Sequence, residues 1–493
     1  MSPSQALYSV AQVRAFDAHA TRVLGVPGYT LMQRAAEAAL HALRSRWPTA
    51  LRIAIVCGGG NNGGDGYVLG RYARAAGLEV SLYAALDPAK LQGDAKRAAD
   101  DFRASGGVPQ PFSAAALAGA EVLVDALLGT GARAPLPPEL LAVIGAMNQA
   151  GVPILALDLP SGLDADRGVP LGDAVRADAT ITFVAPKCGL YIGAGPEHAG
   201  RVSCDTLGVT PPDDASSRPV LERIDEGELS RALPRRSRTA HKGDFGRVLL
   251  IAGGPGMAGA ARLAGEACLR SGAGLVTVAS APENVTAIVG GRPELICFGA
   301  RTPSDIEAAL ASATVVAAGP GLGTSAWARA LLDAVLACGK PLVIDADGLN
   351  LLAASGTRPP PHAVLTPHPG EAARLLGWTT VAVQADRPAA LQALVEKTGA
   401  VVVLKGAGTL VGAPGRIGAL CTRGNPGMAA PGMGDVLTGA IAALLAQCGD
   451  ALQAARAGVI AHALAGDDLA RQGGGRGMLA LEVAEGLTRW VNP

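Results

Sequence analysis

One stretch near the C-terminal end leaves the surrounding chain few options: Gly424-Asn425-Pro426-Gly427-Met428-Ala429-Ala430-Pro431-Gly432-Met433-Gly434-Asp435-Val436-Leu437-Thr438-Gly439. Its first part is too rich in glycine and proline to continue a helix or a strand. It runs into an acid, behind which Val436, Leu437, Ala440, Ile441, Leu444 and Leu445 recur at helical spacing. Glycine N–H groups can approach a ligand closely, and a helix start adds unpaired N–H groups and the positive end of its dipole. Together these form a seat for phosphate. Asp435 stands at the mouth of that seat, placed to take a proton from a hydroxyl that accepts a phosphoryl group. The plain alternative is an N-cap aspartate after an ordinary loop; the length and glycine density of the loop favour the functional reading.

A chain of 493 residues is too long for one core, which predicts two domains, or three. Hydrophobic residues at 49%, aromatics at only 3%, and 66 glycines match layered α/β proteins with tight strand-to-helix turns. Lys+Arg and Asp+Glu are both 42, so no net charge draws the chain to nucleic acid or to an anionic membrane. Cysteines 57, 188, 204, 268, 297, 338, 421 and 448 form no C-x-x-C pair and read as reduced thiols of a cytoplasmic protein. Met1-Ser2-Pro3-Ser4-Gln5 does not read as a secretory leader. No apolar run reaches transmembrane length, so a soluble protein is expected.

The first half opens on helical spacing over 10–24 and 31–47, broken at Pro27-Gly28. The apolar run Leu51–Cys57 suits a buried parallel strand. It feeds a loop, Gly58-Gly59-Gly60-Asn61-Asn62-Gly63-Gly64-Asp65-Gly66, and then a helix-like segment through Arg74. Strand, glycine loop, helix is the arrangement that binds nucleotide phosphates. A structural turn is the competing reading, but a turn does not require two asparagines and an acid. Further strands end at Asp125, ahead of Gly129-Thr130-Gly131, and at Asp158, ahead of Pro160-Ser161-Gly162. In a doubly wound sheet such ends converge on one edge. Asn62, Asp125 and Ser161 then offer oxygen ligands to a hard cation while Asp158 faces the ligand; each acid taken singly is a turn or capping residue. Ile181–Lys187 adds a strand ending in a lysine that either holds an anion or is solvated.

GGGNNGGDG, VDALLGTG, LDLPSG and TFVAPK, in this order and spacing, resemble the NAD(P)H-hydrate epimerases over about the first two hundred residues. The resemblance implies a Rossmann-like three-layer domain that interconverts the R and S epimers of hydrated NADH and NADPH. It also implies that Asn61, Asn62, Gly63, Gly64 and Asp65 bind the dinucleotide, and that Asn62, Asp125 and Ser161 ligate potassium. Gly129, Thr130, Gly131, Ala132, Arg133, Ala134 and Pro135 resemble the second ligand loop, and Asp158 the acid beside the nicotinamide.

Between Thr210 and Ala240 prolines and charges, including Arg235-Arg236-Ser237-Arg238, replace the apolar rhythm and read as a solvated linker. The domains are placed at 1–215 and 222–493. The second half is again α/β, with strand ends at Ala252, Gly319, Asp345-Ala346-Asp347, His368 and Lys405. Lys405-Gly406-Ala407-Gly408-Thr409, glycine turns with one cation and one hydroxyl, suit a second phosphate group. Asp345 and Asp347 face a metal or cap a turn, the turn being preferred. His368, between two prolines, either hydrogen-bonds substrate or packs in a turn.

HKGDFGRVLLIAGGPGMAGAA, AGPGLG, DADGLN, LTPHPGE, LKGAGT and NPGMAAPGMGDVLTG resemble the ADP- or ATP-dependent NAD(P)H-hydrate dehydratases, from about Arg238 onward. Implied are a ribokinase-like fold and removal of water from the S hydrate with conversion of ADP, or ATP in its place, alongside Mg²⁺. Lys405 to Thr409 and Gly434 match nucleotide positions; Ala260, Gly323, His368 and Asp435 match hydrate-binding ones. One departure stands out: the family's Thr or Ser followed by Gly is Ala430-Pro431 here, which deletes a hydroxyl and a backbone N–H. Gly432 to Asp435 is intact, so function is expected to survive. The whole resembles a bifunctional repair enzyme acting on hydrated NADH and NADPH, with neither nucleic acid nor membrane as partner and homo-oligomeric assembly left open. The rival reading is a ribokinase-like small-molecule kinase with a non-catalytic N-terminal nucleotide-binding module.

Overall fold

The computed structural model describes residues 5–492, which divide between Leu221 and Glu222 into two compact units. In unit one, seven parallel strands follow in chain order: β1 (Arg52–Cys57), β2 (Glu79–Ala84), β3 (Gln110–Pro111), β4 (Val122–Ala126), β5 (Ile154–Leu157), β6 (Ala179–Phe183) and β7 (Arg201–Asp205). They lie side by side as β3-β2-β1-β4-β5-β6-β7. β1 pairs with β4 from Ile53–Val122 to Cys57–Ala126.

The strands read as unbroken apolar runs because both faces are covered. Ile53, Ile55, Cys57, Val122 and Val124 pack under helices α1 (Val10–Arg22), α2 (Gly28–Arg46), α3 (Asn61–Ala75) and α4 (Gly93–Ala104). Their pleat neighbours Ala54, Val56 and Leu123 pack against Val143, Ile144 and Met147 of α5 (Pro138–Asn148). The result is a three-layer Rossmann-like sandwich. The chain leaves β1 toward β2 on one side and returns through β4 on the other, so a crevice opens at the carboxyl ends of β1 and β4.

Unit two continues with β8 (Arg247–Ile251), β9 (Leu275–Ser280), β10 (Ile296–Gly299), β11 (Val315–Ala318), β12 (Leu342–Ile344), β13 (Val364–Leu365), β14 (Val401–Leu404), β15 (Thr409–Gly412) and β16 (Gly418–Cys421). Across the sheet these run β16-β15-β14-β13-β12-β11-β8-β9-β10, parallel from β10 to β14 and antiparallel from there. One face, through Val248, Leu250, Val315 and Ala317, is covered by the helices Ala258–Arg270, Met433–Cys448 and Ala451–Gly473. Here the order reverses between β8 and β11, and the loops after β11, β12, β13 and β14 share one edge.

The glycine stretch after β1 is not all loop, as its composition suggests. The helix begins at Asn61, so only Gly58–Gly60 are loop and Asn62 to Gly66 are already helical. Glycine's low helix propensity is overridden by close packing, since a Cβ on Gly63 would come within 2.1 Å of the Gly58 carbonyl oxygen. Asp435 likewise lies inside the first turn of its helix, which is entered from Gly432. No helix among the described residues is long and apolar enough to cross a membrane.

Candidate active sites

In unit one a cavity of about 670 Å³ opens at the crevice between β1 and β4, and α1 and α2 contribute to its walls. Asn61, Asn62, Asp65, Gly129, Thr130, Gly131, Ala132 and Asp158 line it. Gly63 and Gly64 lie beneath, and Arg133, Ala134 and Pro135 are not among the lining residues. The N-cap of α3 is Gly60, which brings no side chain to the cap, so no cap side chain accepts from its first-turn N–H groups. The Arg14 guanidinium donates to the Thr130 carbonyl at 3.0 Å and holds the second loop against α1.

Asp158 sits at the end of β5 with φ at 63°, a left-handed backbone that costs energy for a non-glycine residue. Four described non-glycine residues share this property; Asp158, Val184 and Leu207 line this cavity, and Ala346 stands beside Asp345 in unit two. Such strain persists where the surrounding structure holds it, and here it marks both candidate sites. The Asp158 Oδ1 accepts from the Lys187 ammonium, from Thr182 Oγ1 and from the Phe183 N–H. Oδ2 is left on the side of Gly129, 3.8 Å from where a Cβ on that residue would stand. Lys187 is therefore neither solvated nor waiting for an anion, as its sequence position suggests. It is 1% exposed and ion-paired with Asp158.

Two more carboxyls line the same cavity. Asp65 is pushed well above the usual carboxylate range by burial, then by the neighbouring charges of Asp158 and Asp17. Asp17 is raised by burial, which Lys187 partly opposes. Burial thus favours the protonated form of both Asp65 and Asp17, beside the one ammonium of Lys187. Asp17 had no local signal in the sequence, since it reaches the cavity from α1 and only the fold brings it there.

Asn62, Asp125 and Ser161 meet at the turn after β4. Asp125 is fully buried and accepts from Ser161 Oγ at 2.6 Å, Ser161 N–H at 2.7 Å and Leu127 N–H at 3.2 Å. Burial outweighs these bonds and raises its pKa to about 6. Asn62 donates to the Leu128 carbonyl at 3.0 Å, while its own Oδ1 is buried without a hydrogen-bond partner. A buried oxygen without a partner, at the turn that also buries Asp125, fits a hard cation.

In unit two, Asp345, Lys405 and Thr438 form a chain at the carboxyl ends of β12 and β14. Lys405 Nζ donates to Asp345 Oδ1 at 2.6 Å, and Thr438 Oγ1 donates to Asp345 Oδ2 at 2.7 Å. The Asp345 carboxylate therefore does not cap a turn, the reading preferred from sequence; it makes no capping bond to the helix behind it. Asp347 braces the backbone, accepting from the Gly323 N–H at 2.8 Å. Burial works against the Lys405 charge, but Asp345 and Glu371 outweigh it and hold its pKa above the ordinary value. Gly434 lies over this pair, a Cβ there standing 3.2 Å from Lys405 Nζ.

Asp435 occupies the first turn of Met433–Cys448 and is partly buried. Burial, then the negative charge of Asp345, raise its pKa to about 7, with Lys405 pulling the other way. A carboxyl poised there can act as a base at neutral pH. His368 caps the helix Pro369–Leu376, its Nδ1 accepting from the Gly370 N–H at 2.9 Å. Burial and the nearby Lys405 lower its pKa, so the ring is neutral and presents Nε2–H, now 3.2 Å from Glu371. Ala260 faces the loop after β11, within reach of Gly321. The loop ahead of Asp435 is tied down by Asp467, which accepts from the Gly424 N–H and from Asn425.

Comparison with known proteins follows the same division. Residues 28–189 match the family model described as YjeF-related protein N-terminus, and residues 248–489 match that described as NAD(P)H-hydrate dehydratase. A bifunctional NAD(P)H-hydrate repair enzyme of Coxiella burnetii is 46% identical over 99% of both chains. One of Escherichia coli is 43% identical over 98% of this chain and 93% of its own. Among solved structures, a ribokinase-like superfamily protein of Enterococcus faecalis matches 56% of this chain and 98% of its own at 31% identity and a TM-score of 0.52.

Proposed function

The chain belongs to the family of bifunctional NAD(P)H-hydrate repair enzymes, and on that premise we propose how its two sites divide the work. Unit one epimerises hydrated NADH and NADPH; unit two dehydrates the S epimer. The observation that carries the second assignment is Asp435, a carboxyl poised near neutrality in the first turn of a helix whose N-cap glycine leaves the N–H groups open. Relatives matched along their whole length speak against a kinase with a passive N-terminal module.

The hydrate carries a hydroxyl on the carbon next to the ring nitrogen. In unit one, once that oxygen is protonated, the nitrogen lone pair expels it as water and leaves a planar iminium carbon. Water then adds back to either face and gives up a proton. Asp158 Oδ2 moves these protons, with Asp65 and Asp17 as the reservoir, while Lys187 keeps Oδ1 fixed. Asn62, Asp125 and Ser161 would hold K⁺, which supplies fixed positive charge at the ligand loops. Potassium removal is therefore expected to slow epimerisation by about tenfold or more, with recovery on its return and the same loss in Asn62→Ala. A rate indifferent to the cation in a potassium titration would overturn the assignment.

Hydroxide is a poor leaving group, and unit two replaces it. Asp435 takes the hydroxyl proton as the oxygen attacks the terminal phosphorus of ADP, or of ATP, breaking the bond to the departing nucleotide. The N–H groups from Gly432 to Asp435 receive the phosphoryl oxygens. The ring nitrogen then expels phosphate, and loss of a proton from the adjacent carbon restores the dihydronicotinamide. Lys405 to Thr409 and Gly434 hold the nucleotide; Ala260, Gly323 and His368 border the hydrate. The described residues hold no cluster of three or more His, Cys, Asp or Glu placed for a metal, so Mg²⁺ is assigned to the nucleotide's phosphates. Buried reduced thiols such as Cys57 and Cys268 support a cytoplasmic location.

The test is direct. With ADP and a mixture of R and S hydrate, absorbance of the reduced nicotinamide is expected to return completely, because epimerisation feeds the S form. With the epimerase cavity disabled it should return only to the S fraction at first. A stable phosphorylated product with no absorbance gain would refute the reading.

A further inference from the structure

We propose that Arg387 is the positioning residue that makes the Lys405–Thr409 loop an anion seat, by capturing the loop's carbonyl oxygens and leaving its N–H groups for the nucleotide phosphate. The inference rests on the assignment of that loop to the nucleotide. Arg387 opens the helix Arg387–Thr398 and is only 3% exposed. Its Nη2 reaches the carbonyls of Leu404 at 3.2 Å, Lys405 at 3.2 Å and Gly408 at 3.1 Å. Its Nη1 donates to Gln384 Oε1 at 2.9 Å. The Gly406 carbonyl is taken as well, by Thr409 Oγ1 at 3.0 Å.

Carbonyl and N–H point in opposite directions across a trans peptide. Drawing the Lys405 carbonyl toward Arg387 therefore turns the Gly406 N–H away from it. Among the described residues, the N–H groups of Gly406, Ala407 and Gly408 donate to no backbone carbonyl. With the Lys405 and Gly406 carbonyls held, the N–H groups across those two peptides, of Gly406 and Ala407, are turned the other way, and successive N–H groups so turned suit an anion. Gly406 has a φ of +133°, which a side chain rarely tolerates, and a Cβ there would stand 3.0 Å from Arg387 Nη1. The acceptors of the guanidinium are neutral, so these bonds leave its charge available to the loop. Burial lowers the Arg387 pKa to about 10, which still leaves it protonated at neutral pH.

The test uses the full chain. Arg387→Met should raise the KM for ADP by about tenfold or more, with kcat at saturating ADP within about threefold and epimerisation unchanged. Arg387→Lys keeps the charge but not the fan of donors, and should raise that KM by about threefold or more. In hydrogen exchange, ADP should slow the amides of Gly406 to Gly408 in the parent but not in Arg387→Met at the same concentration. A KM within about twofold of the parent in either variant overturns the proposal; if Arg387→Met does not fold, Arg387→Lys decides. Exchange separates the two levels. Protection in the parent with an unchanged variant KM overturns the role of Arg387 alone, whereas no protection in the parent overturns the nucleotide assignment with it.

Discussion

Asp435→Asn is expected to slow dehydration by about 10²- to 10⁴-fold while leaving epimerisation at its parental rate. Asparagine keeps the size of the side chain and its place in the first helical turn but cannot take the hydroxyl proton. The same substitution should stabilise unit two. The Asp435 pKa is raised from 3.8 to about 7, so between those values the folded state binds more protons than the unfolded one. Its contribution to stability accordingly falls as pH rises through that window, and the full penalty remains above it. Partial solvent access reduces the penalty to the order of 1–2 kcal/mol, and asparagine removes it. Asp435→Asn should thus melt a few degrees higher than the parent at pH near 8.5, with the difference vanishing at pH near 4. For the parent, kcat/KM for the hydrate should fall on the acid side with a midpoint near the Asp435 pKa of about 7. Loss of activity accompanied by a lower melting temperature at alkaline pH would mean that the carboxylate supports the fold instead of the reaction.

That trade between stability and activity was half visible in the sequence. The apolar runs that became β1, β4 and β5 are hydrophobic on both faces, and this alone marks buried parallel strands. Gly58, Asp125 and Asp158 stand at or just past their carboxyl ends, which locates the ligand edge. Asp435 could be singled out because its neighbours in the chain are also its neighbours in space. The partners that set its chemistry could not. Asp345 is held by Lys405, 60 residues away, and by Thr438, 93 residues away. Lys187 meets Asp158 across 29 residues, and Asp17 arrives from a helix with no motif at all. Local pattern reports which side chains reach the edge of a sheet; only packing reports which of them neutralise one another. For that reason Lys187 and Asp345 were open to a solvated or turn-capping reading. The start of α3 shows the converse, since a glycine-rich sequence with weak helical preference is made helical by the close fit of Gly63 against Gly58.

Asp158→Asn should slow epimerisation by about 10²- to 10⁴-fold, and it should also destabilise unit one, in contrast to the change at Asp435. Lys187 is 1% exposed, and its ammonium would lose its only ion-pair partner among the described residues, keeping Thr182 Oγ1 and the Phe183 carbonyl. Leaving one member of a buried pair costs about 3 kcal/mol or more, so the melting transition of unit one should move down clearly. The two losses have separable causes. In Asp158→Asn with Lys187→Met the unpaired buried charge is gone, and part of the stability should return. Activity should not return, since no group at position 158 can exchange the proton. A double variant that regained epimerisation along with its melting temperature would show that the pair serves only to hold the strained turn at Asp158. A double variant stable but inactive would tie the reaction to Oδ2 itself, with Lys187 acting through the opposite oxygen to fix where that atom points.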